Sequence, residues 1–212
     1  MKVTVMIDTE DSFLHEYVSW IKKVIVNRGY DFCFITSKDS LVEGDILFLL
    51  GCSSILSPDE LQLHTRNLVV HPSKLPDGRG SAALVWKILD GENKIWVTLF
   101  EADNGVDTGG FYYQDCIVFQ GYELCDEIRG MQAKKTIELI ARFLDEYPDV
   151  NLKEQRGKSS FYPRRTAKDS ELDVDKSIAD QFDLLRVVDN VRYPCFFYFR
   201  GHRYVLHVLR GD

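Results

Sequence analysis

The chain opens on Lys2 to Ile7, where Val and Ile dominate and polar residues follow at once, the pattern of a buried strand. In residues 11–28, Phe13, Tyr17, Trp20, Ile21 and Val24 fall at three- and four-residue steps, which predicts an amphipathic helix stopped by Gly29. Asp31 to Thr36 predicts a second strand, and Asp45 to Leu50 a third, apolar on both faces as a covered parallel strand is. Pro58-Asp59-Glu60 opens a short helix, and Asn67 to Val70 forms a fourth strand ending at His71. Further on come a helix over Ser81 to Leu89 closed by Gly91, strands over Ile95–Glu101 and Phe111–Phe119, and a helix over 123–147. The polar stretch 148–160 predicts a linker. Beyond it the pattern predicts a helix near 174–188 and a hairpin pairing Cys195–Phe199 with Arg203–Val208 across Arg200-Gly201-His202.

Strands alternating with helices over short links predict an α/β fold. The expected architecture is an open, mostly parallel twisted sheet of Rossmann-like type with flanking helices, plus a short C-terminal helix and β-hairpin appendage. The chain divides near residue 150, into 1–150 and 151–212. Its 212 residues suit one domain with a short appendage, and a hydrophobic share of 45% is enough to bury a core. A net charge of −7 argues against a protein built to embrace nucleic acid, although Arg164-Arg165 makes a local basic patch. The five cysteines are odd in number and lack CxxC spacing, so reduced thiols in a cytoplasmic protein are expected rather than disulfides or a metal site. The N-terminus reads as a strand rather than a signal peptide, and no apolar run approaches the roughly 20 residues of a membrane helix.

In open α/β sheets, ligands bind outside the carboxyl ends of the strands. His71 stands there, before a loop broken by Pro72, Pro76, Asp77-Gly78 and Gly80. A second loop, Asp103 to Gly110, leaves another strand and carries Asp103 and Asp107 among three glycines. A histidine and an aspartate on neighbouring loops can serve as base and orienter. On spacing alone, an exposed histidine beside ordinary Asp-Gly turns is the commoner reading.

The stretch HPSKLPDGRGSAALVWKILDG followed by VTLFEADNGVDTGG resembles the core of the formyltransferase family, whose members act on methionyl-tRNA, glycinamide ribonucleotide or nucleotide sugars. The matching positions are His71, Ser73, Leu75, Pro76, Arg79 and Gly80, then Asp103, Gly105, Asp107, Thr108 and Gly109, within a similarity covering residues 45–120. The resemblance implies a formyltransferase catalytic domain over 1–150 and N10-formyltetrahydrofolate as donor. It implies that His71 takes a proton from the acceptor amine while Asp107 holds the imidazole and favours its charged form. Asp103, Gly105 and Val106 would line the pterin pocket, walled by Ile55 and Leu56. One departure stands out. The family carries an Asn two residues before the His, as oxyanion donor, and this chain has Val69 there. Asn67 shares that face but lies about 7 Å further back along an ideal strand. Either a bulge brings Asn67 forward, or Asn67 merely starts the strand and His71, water or backbone N–H groups serve the oxyanion.

The segment FYPRRTAKDSELDVDKSIADQFDLLRVVDNVRYP resembles the nucleotide-sugar branch, possible members being those of pseudaminic-type pathways. That resemblance implies a UDP-linked 4-amino-4,6-dideoxy-N-acetyl-hexose as acceptor, with 151–212 contacting the sugar nucleotide. Arg164 and Arg165 would clamp the diphosphate, Tyr193 would stack and Asn190 would read a hydroxyl, with Ser73, Lys74 and Arg79 further substrate contacts. Equally, the arginines pair with Asp169 or Glu171 and the aromatics are hairpin core. The acidic charge, and the lack of residues for a further barrel, argue against tRNA. Two rival classes remain: a formyltetrahydrofolate hydrolase and a non-catalytic folate-binding protein. The apolar stretch VRYPCFFYF is a candidate homodimer surface.

Overall fold

The computed structural model describes residues 1–211. Its centre is a six-stranded sheet ordered β2-β1-β3-β4-β6-β7. These strands are β1 (Lys2–Met6), β2 (Asp31–Ile35), β3 (Gly44–Leu49), β4 (His64–His71), β6 (Lys94–Glu101) and β7 (Phe111–Val118). The first four run parallel, whereas β6 and β7 join antiparallel, so the fold is the mostly parallel Rossmann-like sheet expected. A short pair, β5 (Arg79–Gly80) with β8 (Phe161–Tyr162), and a hairpin, β9 (Cys195–Phe199) with β10 (His202–Leu206), lie apart. The helices are α1 (Val18–Val26), α2 (Pro58–Leu61), α3 (Ala83–Leu89), α4 (Cys125–Glu146) and α5 (Phe182–Val187).

Strand alternation sorts the core. Val3, Val5, Ile46, Phe48 and Leu68 are buried against Ile21 and Ile25 of α1 and Ile140 and Phe143 of α4. Met6, Leu47 and Leu49 turn the other way, with Val69, Leu56 and Leu61. The two-residue period therefore puts Asn67, Val69 and His71 on that second face. No helix among the described residues is long and apolar enough to cross a membrane.

Four elements differ from expectation. The helix predicted over 11–28 starts as a 3-10 turn, Phe13–Tyr17, before α1. Ser12 caps that turn by accepting from the Leu14 N–H, and tightened first turns are common at helix starts. The helix predicted near 174–188 shrinks to α5 behind a 3-10 turn, Ala179–Gln181. The Gln181 side chain accepts from Asp173 N and donates to Asp173 O, so residues 173–178 are held as a loop by side chain–backbone bonds that compete with the helix. The hairpin turns on Arg200 (φ 51°) and Gly201 (φ 82°) alone, the pair of positive φ values that a two-residue turn matching strand twist requires, so His202 begins β10.

The segment 148–160 is a strap rather than a linker. Lys153 exchanges two backbone hydrogen bonds of 2.8 Å with Phe111, and β8 then pairs parallel with β5. An extended chain laid along β7 satisfies backbone groups that an edge would leave open. Further on, Arg186 of α5 is fully buried and donates to Glu123 O, Glu123 Oε2 and Asn93 Oδ1, which fastens α5 to the start of α4.

Candidate active site

A cavity of about 680 Å³ opens over the carboxyl ends of β3 and β4. Its floor is His71, 7% exposed at the end of β4. The ring Nε2 lies 2.7 Å from Gly78 O, and a carbonyl can only accept, so Nε2 carries the proton. That leaves Nδ1 as the open nitrogen, facing Asp107 Oδ2 at 3.8 Å. The separation exceeds a hydrogen bond, so Nδ1 remains available to another donor. The same Asp107 oxygen accepts from Gly80 N at 2.8 Å. Asp107 has φ 53°, a left-handed conformation costly for a residue with a Cβ and therefore one that its surroundings must impose.

The loop carrying Asp107 is built around two fixed points. Asp103 Oδ1 accepts from Gly105 N and from the Thr108 hydroxyl. At Gly109, an added Cβ would stand 1.8 Å from Glu101 O, so only glycine lets the loop return so closely onto β6. Glu101 is itself half-buried beside the loop, where desolvation outweighs hydrogen bonds from Asn67 N and Tyr112 and pushes its carboxyl up. Across the cavity, Asp8 at the end of β1 accepts from Ser53 N and Ser54 N and fixes the loop that presents Ile55. Burial pushes the Asp8 carboxyl up, but its serine hydrogen bonds prevail and hold it low, so it is anionic. Ile55, 60% exposed, Val106, 43% exposed, and buried Leu56 give the cavity lining its apolar share on these loops.

The structure gathers His71, Asp107, Asp103, Gly105, Val106, Ile55, Leu56, Arg164, Arg165 and Tyr193 around this one cavity. Arg165 is anchored by Nη2 to Asp169 O, and burial works against its charge. Five expected site residues lie outside the lining of this cavity. Asn67 donates its amide to Leu61 O at 2.8 Å and does not line the cavity, because no bulge shifts β4 toward His71. Ser73 is buried beneath the turn after His71, and its carbonyl accepts from Thr98. Lys74 lies over the Trp96 ring at 4.5 Å. Arg79 donates to Gln155 Oε1. Asn190 exchanges two hydrogen bonds with Val208 and faces a neighbouring cleft.

Other lining residues had no sequence signal of their own. Arg129 and Gln132 of α4 look like any polar helix face, and Phe161, just past the expected linker, was not singled out within its segment. Arg129 donates to Asp189 Oδ2 at 2.7 Å, and Arg192 stands 3.9 Å from the same oxygen, so an ion-pair cluster closes one end of the cavity.

Residues 34–136 match the family model described as formyl transferase. The chain is 30% identical over 141 residues to the methionyl-tRNA formyltransferase of Thermus thermophilus, a match covering 64% of this chain and 44% of that protein. It thus spans about half the length of the curated relatives it matches. Among solved structures, a methionyl-tRNA formyltransferase from Clostridium thermocellum superposes with a TM-score of 0.80 at 21% identity, covering 96% of this chain and 90% of that one. A Mycobacterium tuberculosis protein described as a likely sugar N-formyltransferase superposes with a TM-score of 0.77 at 17% identity, covering 100% and 98% of the two chains. At these identities the superpositions establish a shared fold.

Proposed function

We propose that this protein, whose residues 34–136 match the family model described as formyl transferase, moves a formyl group from N10-formyltetrahydrofolate to the amino group of a nucleotide-linked amino sugar. The observation that carries the reading is the His71–Asp107 pair on the cavity floor, with Nδ1 unbonded and a carboxylate 3.8 Å away. The donor supplies an activated formyl carbon. Its ring system suits the apolar lining residues Ile55 and Val106 and the backbone groups of the 103–107 loop, in a cavity of ordinary ligand size.

The chain's own residues then divide the work. Nε2–H on Gly78 O fixes the ring, so the proton shed by the attacking amine goes to Nδ1. Asp107 stabilises the imidazolium that results, and the proton on Nδ1 can later pass to the departing folate nitrogen. With Asn67 engaged at Leu61 and Val69 apolar, this reading assigns the developing oxyanion to the Nδ1–H of that imidazolium.

The acceptor class rests on different support. Arg164 and Arg165 meet the cavity beside Tyr193, a basic pair for a diphosphate next to an aromatic surface. A net charge of −7 disfavours tRNA. A UDP-linked 4-amino-4,6-dideoxy-N-acetyl-hexose is the acceptor to try first, and the five unpaired thiols fit a cytoplasmic setting.

The test is incubation with formyl-folate and a panel of UDP- and dTDP-linked amino sugars, with methionyl-tRNA as a separate arm. Tetrahydrofolate release that depends on an amino sugar is expected. Release independent of any amine would make the protein a hydrolase, and tight donor binding without release in any arm would overturn formyl transfer altogether.

A further inference from the structure

The strap that follows α4 makes one contact that the reaction scheme leaves unused. Gln155 Nε2 donates to Asp107 O at 2.9 Å and to Gly109 O at 2.8 Å, while its Oε1 accepts from Arg79 Nη2 at 2.7 Å. All three partners dictate the amide's orientation, since carbonyls only accept and a guanidinium only donates. Both carbonyls belong to the loop that presents the cavity's carboxylate, and they flank the residue pair on either side of Thr108. Asp107 is in the left-handed region, φ 53°, a conformation strained for a residue that carries a Cβ. Within its own loop, the Asp103 bonds tie Gly105 and Thr108, not the Asp107 carbonyl.

We infer that Gln155 is a positioning residue, a clamp reaching from the strap to hold Asp107 in its strained conformation so that its carboxylate stays on Gly80 N and opposite His71 Nδ1. The inference rests on the formyl-transfer reading for its catalytic consequence, but its structural content is independent of it. Arg79 is the outer support: its guanidinium fixes the amide that fixes the loop, which explains why it turns away from the cavity. Gln155 lies outside residues 34–136, so the family match supplies the carboxylate while the strap supplies its restraint.

The decisive readout is the backbone amide of Gly80, which donates to Asp107 Oδ2 at 2.8 Å and so reports whether the carboxylate is in place. Gly78 N, which donates to Ser160 Oγ at 2.7 Å, reports separately whether the strap is docked. Gln155→Glu keeps the size of the side chain and its Arg79 partner but replaces both donations to carbonyls with repulsion. Amide hydrogen exchange on the full chain should show Gly80 protection falling about tenfold or more in Q155E, as in Asp107→Ala, while Gly78 keeps its own. Ser160→Ala should do the reverse. In turnover assays, Q155E should lower kcat about tenfold or more and leave KM within roughly threefold, because a misplaced carboxylate affects the transition state rather than ground-state binding. Wild-type Gly80 protection in Q155E would overturn the clamp. So would equal loss of Gly80 protection in S160A, which would make the effect one of general strap docking. If the wild-type protein transfers no formyl group, the proposed function fails while the exchange data still decide the clamp.

Discussion

Val69→Asn restores to β4 the amide that the formyltransferase pattern carries two residues before the histidine. Val69 packs half-buried against the Met6, Leu47 and Leu49 face, so the change trades two methyl groups for an amide of similar volume. Loss of partly buried apolar area plus incomplete amide satisfaction costs about 1–2 kcal/mol of stability. For a chain of this size that lowers Tm by roughly 2–8 °C. In return, an N–H donor appears on the face that carries His71, where Asn67 cannot serve because its amide is engaged 2.8 Å from Leu61 O. Such a donor is typically worth about 10²–10³ in kcat when a site has been built around it. Here it would enter a site that, on the proposed function, works without it, so the gain expected is about 10- to 100-fold, or roughly 1.4–2.7 kcal/mol of barrier. Steady-state turnover with formyl-folate and the responsive amino sugar measures it, with KM nearly unchanged. The His71→Ala/Val69→Asn double variant should lose the gain, since the donor then has no proton acceptor to work with. A folded V69N protein with an unchanged or lower kcat would show that the oxyanion is already served by another group.

His71→Ala should reduce turnover by about 10²–10⁴ while the thermal midpoint stays close to wild type, and activity within tenfold of wild type would move the proton acceptor elsewhere. Gly109→Ala forces a Cβ to 1.8 Å from Glu101 O, so the loop must shift and kcat should fall at least tenfold; unchanged kinetics would mean that this approach is not maintained in solution. Arg186→Met leaves Glu123 buried without its partner and should cost on the order of 3–5 kcal/mol, read by urea unfolding. The Glu123 carboxyl is also a pH sensor: burial pushes it up, but the N–H groups of Gln120 and Gly121 and the Arg186 charge win and hold it below its ordinary value. A depressed carboxyl contributes stability above its unfolded value of about 4.3 and loses it as pH falls through the lower folded value. Acid titration of unfolding stability should therefore show a component absent from Glu123→Gln, and identical acid profiles would refute that account.

The α/β alternation was legible because burial imposes periods on sequence. Every strand of the main sheet was foreseen to within a few residues, since Val, Ile and Leu must alternate or cluster where both faces are covered. The residues His71, Asp103, Asp107 and Gly109 were legible as a motif, and the cavity gathers the first three of them. Elements whose shape depends on a single side chain were not. The helix expected near 174–188 lost its first turns to the Gln181 amide, which binds backbone eight residues away and leaves no periodic trace. Ser73, Lys74, Arg79 and Asn190 share residue types with ligand-binding positions, but the groups they meet, Thr98, Trp96, Gln155 and Val208 in turn, are distant in sequence or lie on another segment.

Periodicity and short motifs are local properties of a chain, so the sheet and the two loops at its carboxyl edge, with His71 and Asp107 on them, could be read directly from the residues. Tertiary structure alone decided which nitrogen of His71 is free, since that follows from Gly78 O approaching to 2.7 Å. It alone decided that Asn67 is withdrawn, and that a polar stretch readable only as a linker returns to grip the Asp107 loop through Gln155. A hydrogen bond depends on position within tenths of an ångström, and between segments nearly fifty residues apart only the folded chain fixes that position.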